Sequence, residues 1–254
     1  MGLINLARAE ASWGPADSAK GMALALKETG RTKNAAGATA IRYQITGTGF
    51  TPDMQLTLWR WPLNHKMEQV MSGIVVDASG TAVCGVAAPG PSAPTDAAGA
   101  NAKAAEAAIP PCTRTMKAGT PIEFEITAAK GEPVRVALVA ADHKHGAAVA
   151  EVPFPIEATD RGCKLSVVLG SQNAELVLVE GNGFKQDKDF SLGTESFGVK
   201  HPMKVAATTN GHFVAALTPW EPGHEVGDTT VYYTSSTCTP TVSFHWGKNT
   251  YKPE

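Results

Sequence analysis

The run Asp142-His143-Lys144-His145-Gly146 comes nearest in this sequence to a metal centre. Two imidazoles two positions apart share a side of an extended chain, and the adjacent carboxylate adds an oxygen donor, a set that suits a transition metal. The same polar run is also what an exposed turn between two strands is made of. Asp142, His143 and His145 are the candidate metal residues, and no other cofactor is expected. His65, Met67 and Met71 form a looser soft-donor set that would suit copper. Asn64 and Lys66 beside them read instead as a solvated connection, and His224 in Pro222-Gly223-His224-Glu225 reads as a loop residue.

Trp59-Arg60-Trp61 is the sharper feature. If Met54, Leu56 and Leu58 face a core, period-two alternation puts Gln55, Thr57, Trp59 and Trp61 on the opposite face. Two indoles on an otherwise polar face offer a surface to a sugar ring, an apolar small molecule or another subunit. A bulge that switches the alternation, or cover from the N-terminal segment, is the competing reading. Near the other end, Val242, Phe244 and Trp246 alternate as core residues of a last strand.

Catalytic patterns are missing. Gly47-Thr48-Gly49 and Gly181-Asn182-Gly183 lack the third glycine and the following helix that a dinucleotide-binding turn needs. There is no P-loop, no H-E-x-x-H and no G-x-S-x-G; Gly193 to Gly198 approaches the last with the wrong spacing. The expectation is a protein that is not an enzyme.

The elements that would position these residues read as strands. The 254 residues are 43% hydrophobic, enough to build real cores. A net charge of -2 removes a broadly basic nucleic-acid binder, and no apolar run approaches the length of a membrane span. Ile41, Tyr43 and Ile45 alternate with polar residues into Gly47-Thr48-Gly49-Phe50, and a turn at Asp77-Ala78-Ser79-Gly80 follows. The same order returns 134 positions on, where Leu176 to Glu180 runs into Gly181-Asn182-Gly183-Phe184 and a Thr209-Asn210-Gly211 turn. Asn-Gly between apolar runs is a strong hairpin signal.

The sequence therefore predicts an all-β protein of two tandem antiparallel sandwiches. The parse is an N-terminal extension at 1–36, helix-compatible from Ser18 to Lys27, then a first sandwich at 37–157 and a second at 162–254. The Ala/Pro-rich stretch 87–111 has too little apolar bulk for a core strand and reads as an insertion in the first sandwich. Four cysteines allow three pairings. Cys84–Cys112 and Cys163–Cys238 keep each bridge within one unit and are expected, in an oxidising compartment. Ala9-Glu10-Ala11 has the small-x-small form of a signal-peptidase site, although the apolar stretch before it is short.

Strand, G-x-G-F, strand, then an S-G or N-G turn and a further strand resembles bacterial immunoglobulin-like sandwich domains of the IPT/TIG group. Gly47, Gly49, Phe50, Asp77 and Gly80, then Gly181, Gly183, Phe184, Asn210 and Gly211, carry the likeness. The neocarzinostatin-type sandwich is similar in the same places, but has its two disulfides within one domain. The resemblance implies a fold and, with it, spacer, adhesive or assembly roles at bacterial surfaces. The expected function is that of a secreted or cell-surface structural or adhesive protein, a subunit of an extracellular assembly. Its partners would be other protein subunits, self included, with residues 1–36 completing a neighbour's sheet edge. The alternatives are a glycan or apolar small-molecule binding module built on the tryptophans, and a periplasmic metal-binding protein.

Overall fold

The computed structural model describes residues 18–63, 66–85, 109–184, 191–203, 205 and 210–254. The Ala9-Glu10-Ala11 site, His65 and residues 87–108 of the insertion lie outside them. In the first half, strands run at Ala23–Lys33 (β1), Thr39–Thr48 (β2), Leu56–Trp61 (β3), Glu68–Val76 (β4), Ala82–Cys84 (β5), Glu123–Ile126 (β6), Val134–Ala140 (β7) and Gly146–Glu151 (β8). In the second they run at Ile156–Asp160 (β9), Cys163–Leu169 (β10), Val177–Asn182 (β11), Ser191–Ser196 (β12), Val199–Met203 (β13), Phe213–Leu217 (β14), Val226–Thr234 (β15) and Thr241–Gly247 (β16). A 3-10 turn spans Cys112–Arg114.

Every strand pairing is antiparallel, in four sheets ordered β1-β2-β6, β5-β4-β3-β7-β8, β14-β11-β10-β9 and β13-β12-β15-β16. The sheets stack in pairs because alternate residues are apolar. Ile41 and Ile45 of β2 are buried while Arg42 between them is exposed, and Leu165 and Val167 of β10 are buried likewise. One apolar cluster joins the first two sheets through Ile45, Leu56, Leu58, Ile74, Val136 and Leu138. A second joins the other two through Leu165, Val179, Phe184, Val231, Phe244 and Trp246. The order β4-β3-β7-β8 recurs as β13-β12-β15-β16, and β1-β2-β6 recurs as β10-β11-β14 with β9 added at its edge.

The glycine motif acts alike in both halves. Gly49 and Gly183 have φ of +81° and +78°, and a Cβ on either would lie 2.2 and 2.4 Å from the carbonyl oxygens of Gly21 and Gly162. Only glycine permits that backbone and that approach. The Gly47 N–H donates to the Gly80 carbonyl at 2.7 Å, and the Phe184 N–H to the Gly211 carbonyl at 3.0 Å, so each G-x-G-F is pinned to its hairpin turn.

Two boundaries differ from the sequence reading. Residues 23–33 are not an extension outside the first unit, nor is Ser18 to Lys27 helical: they form β1, antiparallel to β2 from Ala23–Thr48 to Lys33–Thr39. Leu24 and Leu26 pack partly on the first core, which outweighs the weak local helix preference. Of residues 1–36, expected to complete a neighbour's sheet edge, Ala23–Lys33 are paired within their own chain, and 1–17 lie outside the described residues. Residues 156–160, read as the tail of the first sandwich and a linker, form β9 on β10 through a tight Arg161-Gly162 turn with both φ positive. The link between the sandwiches contracts to 152–155.

Both disulfides take the expected pairing, Cys84–Cys112 and Cys163–Cys238. The first closes the insertion at its base beside β5. The second runs from the start of β10 to the β15–β16 connection and so ties the two sheets of its sandwich.

Backbone and side-chain bonds hold the two sandwiches together. The Gly131 N–H donates to the Phe154 carbonyl at 2.7 Å, and the Leu169 N–H to the Gly131 carbonyl at 2.8 Å. After β16 the chain returns to the first sandwich, where the Glu254 N–H donates to the Ala128 carbonyl at 3.1 Å, its carbonyl accepts from the Thr39 N–H, and the Tyr251 hydroxyl reaches Glu132 at 2.7 Å. Leu63, from the β3–β4 connection, belongs to the second core.

Candidate functional site

The outward face of the β3-β7-β8 ribbon is read directly from its register. Thr57, Val139 and Gly146 make one row, Trp59, Ala137 and Ala148 the next, and Trp61, Arg135 and Ala150 the third. Leu56 and Leu58 point the other way, into the core. The β3–β4 pairing slips at Leu58–Trp59, yet β3 keeps strict register with β7, so Trp59 and Trp61 do share the face predicted for them.

That face is not open. Gln55 is exposed, but Thr57, Trp59 and Trp61 are half-buried, and Ala137 and Arg135 beside them are buried. The reason is tertiary. The β7–β8 end of the face looks onto the outer face of β10, β11 and β14, and Ala148 and Ala150 share a cleft of about 460 Å3 with Val168, Leu178 and Val214. The indoles have different surroundings. Trp59 meets the His143 ring edge-on at 6.4 Å. Trp61 enters a second pocket, of about 330 Å3, with Arg60, Glu125, Glu132, Gln172 and Tyr251. Arg135 lines both. Trp59 thus lies beside the β7–β8 hairpin and Trp61 in the junction between the sandwiches, each half-buried.

Buried charge concentrates at this junction. Removal of Arg135 from water lowers its pKa, and Glu132 opposes that shift. The Glu132 carboxylate accepts the Ala129 N–H at 2.8 Å and the Tyr251 hydroxyl at 2.7 Å. Burial, with Glu132 second, raises the Tyr251 phenol well above its ordinary value. At the rim, Arg60 grips Glu68 at 2.6 Å and Arg42 grips Glu125 at 2.7 Å.

The Asp142–His145 run is a turn. Asp142 accepts the backbone N–H groups of Lys144 at 2.9 Å and His145 at 3.1 Å, and its other oxygen meets His145 Nδ1 at 2.6 Å. These bonds, the Lys144 N–H first, hold its carboxyl at about 2. His143, at φ +54°, turns to Trp59 instead. Asp142 and His145 meet but His143 does not join them, and among the described residues no group of three His, Cys, Asp or Glu side chains converges to hold a metal. Met71 packs against the first core.

Compared with known proteins, the chain matches no family model and no curated protein. Among the described residues no helix is long and apolar enough to cross a membrane.

A surface missed in the sequence lies on the second sandwich. Phe197, Val199, Trp220 and Val226 are about half exposed, at 46 to 52%. Phe197 occupies the β12–β13 turn, stacks on His224 with centroids 3.6 Å apart, and lies over Gly227, next to Val226. Trp220 precedes Glu221, which His201 of β13 holds at 2.5 Å. These residues come from the β12–β13 turn, the β14–β15 connection and the strand starts beside them, so no local period announces them. The junction site was equally hidden: Gln172 and Tyr251 lie far along the chain from Trp61. One signal was present, a lone arginine inside the apolar run Val134 to Val139.

Proposed function

We propose that this protein is a non-enzymatic, exported structural or adhesive protein, a subunit of a cell-surface or extracellular assembly built on tandem immunoglobulin-like sandwiches of IPT/TIG type. The observation that carries the reading is the apolar end of the second sandwich. Four large hydrophobic side chains, two of them aromatic, are about half exposed, and Phe197 lies over Gly227 beside Val226 and stacks on His224, four residues after Trp220, the composition of a protein interface rather than of an ordinary surface. Two disulfides and a bonded junction support it, since a module that transmits or resists force outside the cell needs units that do not come apart. The repeated G-x-G-F turn supports the IPT/TIG likeness. The partner is a protein subunit, and a second copy is the first to test.

Light scattering on non-reduced protein over a wide concentration range tests this. The expected result is a mass that rises with concentration and returns to a monomer in the double variant F197S/W220S. A monomer at every concentration, or an oligomer unaffected by the double variant, removes self-assembly through this end.

A further inference from the structure

We propose that the pocket between the two sandwiches, walled by Trp61, Arg60, Glu125, Glu132, Gln172 and Tyr251, binds a neutral carbohydrate. The inference rests on observations separate from the apolar end of the second sandwich, and either can fail alone.

The charge balance comes first. Arg60 and Arg135 face Glu125 and Glu132, two cations against two anions, so the pocket has no net field to recruit a charged ligand. A lining that mixes donors and acceptors suits hydroxyl groups, because each hydroxyl both donates and accepts. A guanidinium or the Gln172 amide can give a hydrogen bond to the oxygen whose proton goes to a carboxylate.

The aromatic component comes second. Trp61 is half-buried and lines the pocket. Tyr251 adds a second ring. The apolar C–H face of a pyranose packs on such a ring while the hydroxyls at its edge reach the polar groups.

Preorganisation comes third. Several of the polar side chains already have partners: Arg60 pairs with Glu68, Glu125 with Arg42, and Glu132 accepts from the Ala129 N–H and the Tyr251 hydroxyl. Such partners reduce the side-chain entropy lost when a ligand arrives, most for the buried Glu132. The volume of about 330 Å3 is at the small end of ligand sites, which run from roughly 300 Å3, and fits one or two sugar rings. The site draws on β3, the β10–β11 connection and the segment after β16, so it exists only while the two sandwiches stay docked.

The test is a titration of the full-length oxidised protein with cellotriose, maltotriose, mannotriose and chitotriose, followed by tryptophan emission and calorimetry. A galacturonic acid trimer serves as the charged control. At least one neutral trisaccharide is expected to bind. Trp61→Ala should weaken binding roughly tenfold or more, Gln172→Ala should weaken it roughly threefold, and Trp220→Ser should leave it unchanged. Should Trp61→Ala fail to fold, Trp61→Phe with Gln172→Ala carries the same comparison, since Phe keeps a ring in place. No binding by any neutral probe up to roughly 10 mM, tighter binding of the acidic trimer, or binding indifferent to both Trp61 and Gln172 would overturn the proposal.

Discussion

Trp61 of β3 stands directly opposite Arg135 of β7, on the face that turns from the first core towards the second sandwich. A buried guanidinium on an outward sheet face is tolerable only where charge and hydrogen bonds surround it. Here the nearby carboxylate is Glu132, which also accepts from Ala129 and Tyr251.

Glu132 is therefore the side chain whose loss should be felt most at the junction. Glu132→Ala leaves two donors without their acceptor and removes the countercharge of Arg135, an effect of about 2–4 kcal/mol. Glu132→Gln keeps an acceptor oxygen and should lose less. Urea denaturation of both variants checks the order; equal losses would mean that charge, rather than hydrogen bonding, sets the effect.

The two motif glycines should be far less replaceable than a glycine with the same backbone in open space. Gly119 has φ +80°, and a Cβ added there would meet nothing within 4 Å, so Gly119→Ala should cost about 1 kcal/mol, the left-handed backbone alone. Gly183→Ala and Gly49→Ala add a collision with a backbone carbonyl and should cost more than about 2 kcal/mol. Thermal melts of the three variants test this ranking.

Removing the Cys163–Cys238 bridge should destabilise more than removing Cys84–Cys112. Their sequence separations are 75 and 28 residues. Chain-entropy upper estimates are about 4.5 and about 3.6 kcal/mol. The longer bridge also spans two sheets, whereas the shorter closes an insertion. Paired Cys→Ser variants compared by denaturant midpoint give the answer.

The pH dependence has two signed limbs. Asp142 titrates at about 2, below the ordinary carboxylate value near 3.9, so its contribution is complete above roughly pH 4 and disappears as pH falls through about 2. Asp142→Asn should flatten the acid limb in that window. Tyr251 is raised above the ordinary phenol value near 10, so its contribution is complete below about pH 10 and declines as pH rises beyond it. Tyr251→Phe should flatten the alkaline limb. Melting curves of the wild type and each variant across both ranges decide the matter.

Much of this protein is legible in its sequence by itself, and for local reasons. Period-two alternation over Ile41 to Ile45, or Val242 to Trp246, is enforced by the pleat, so strand and buried face follow without knowledge of partners. Gly49 and Gly183 mark turns that other residues resist, and the repeat they head separates the chain into two units whose cysteines pair within each. Only the tertiary structure decided which strand edges are filled and which faces are covered. Ala23 to Lys33 is amphipathic enough to be strand or helix, and pairing with β2 chose. Trp59 and Trp61 lie on the face the alternation requires, but the second sandwich closes over the neighbouring strands and places Tyr251 and Gln172 near Trp61. Gln172 and Tyr251 lie more than a hundred positions from Trp61, where no periodicity reaches, and the docking of two finished sandwiches brings them there.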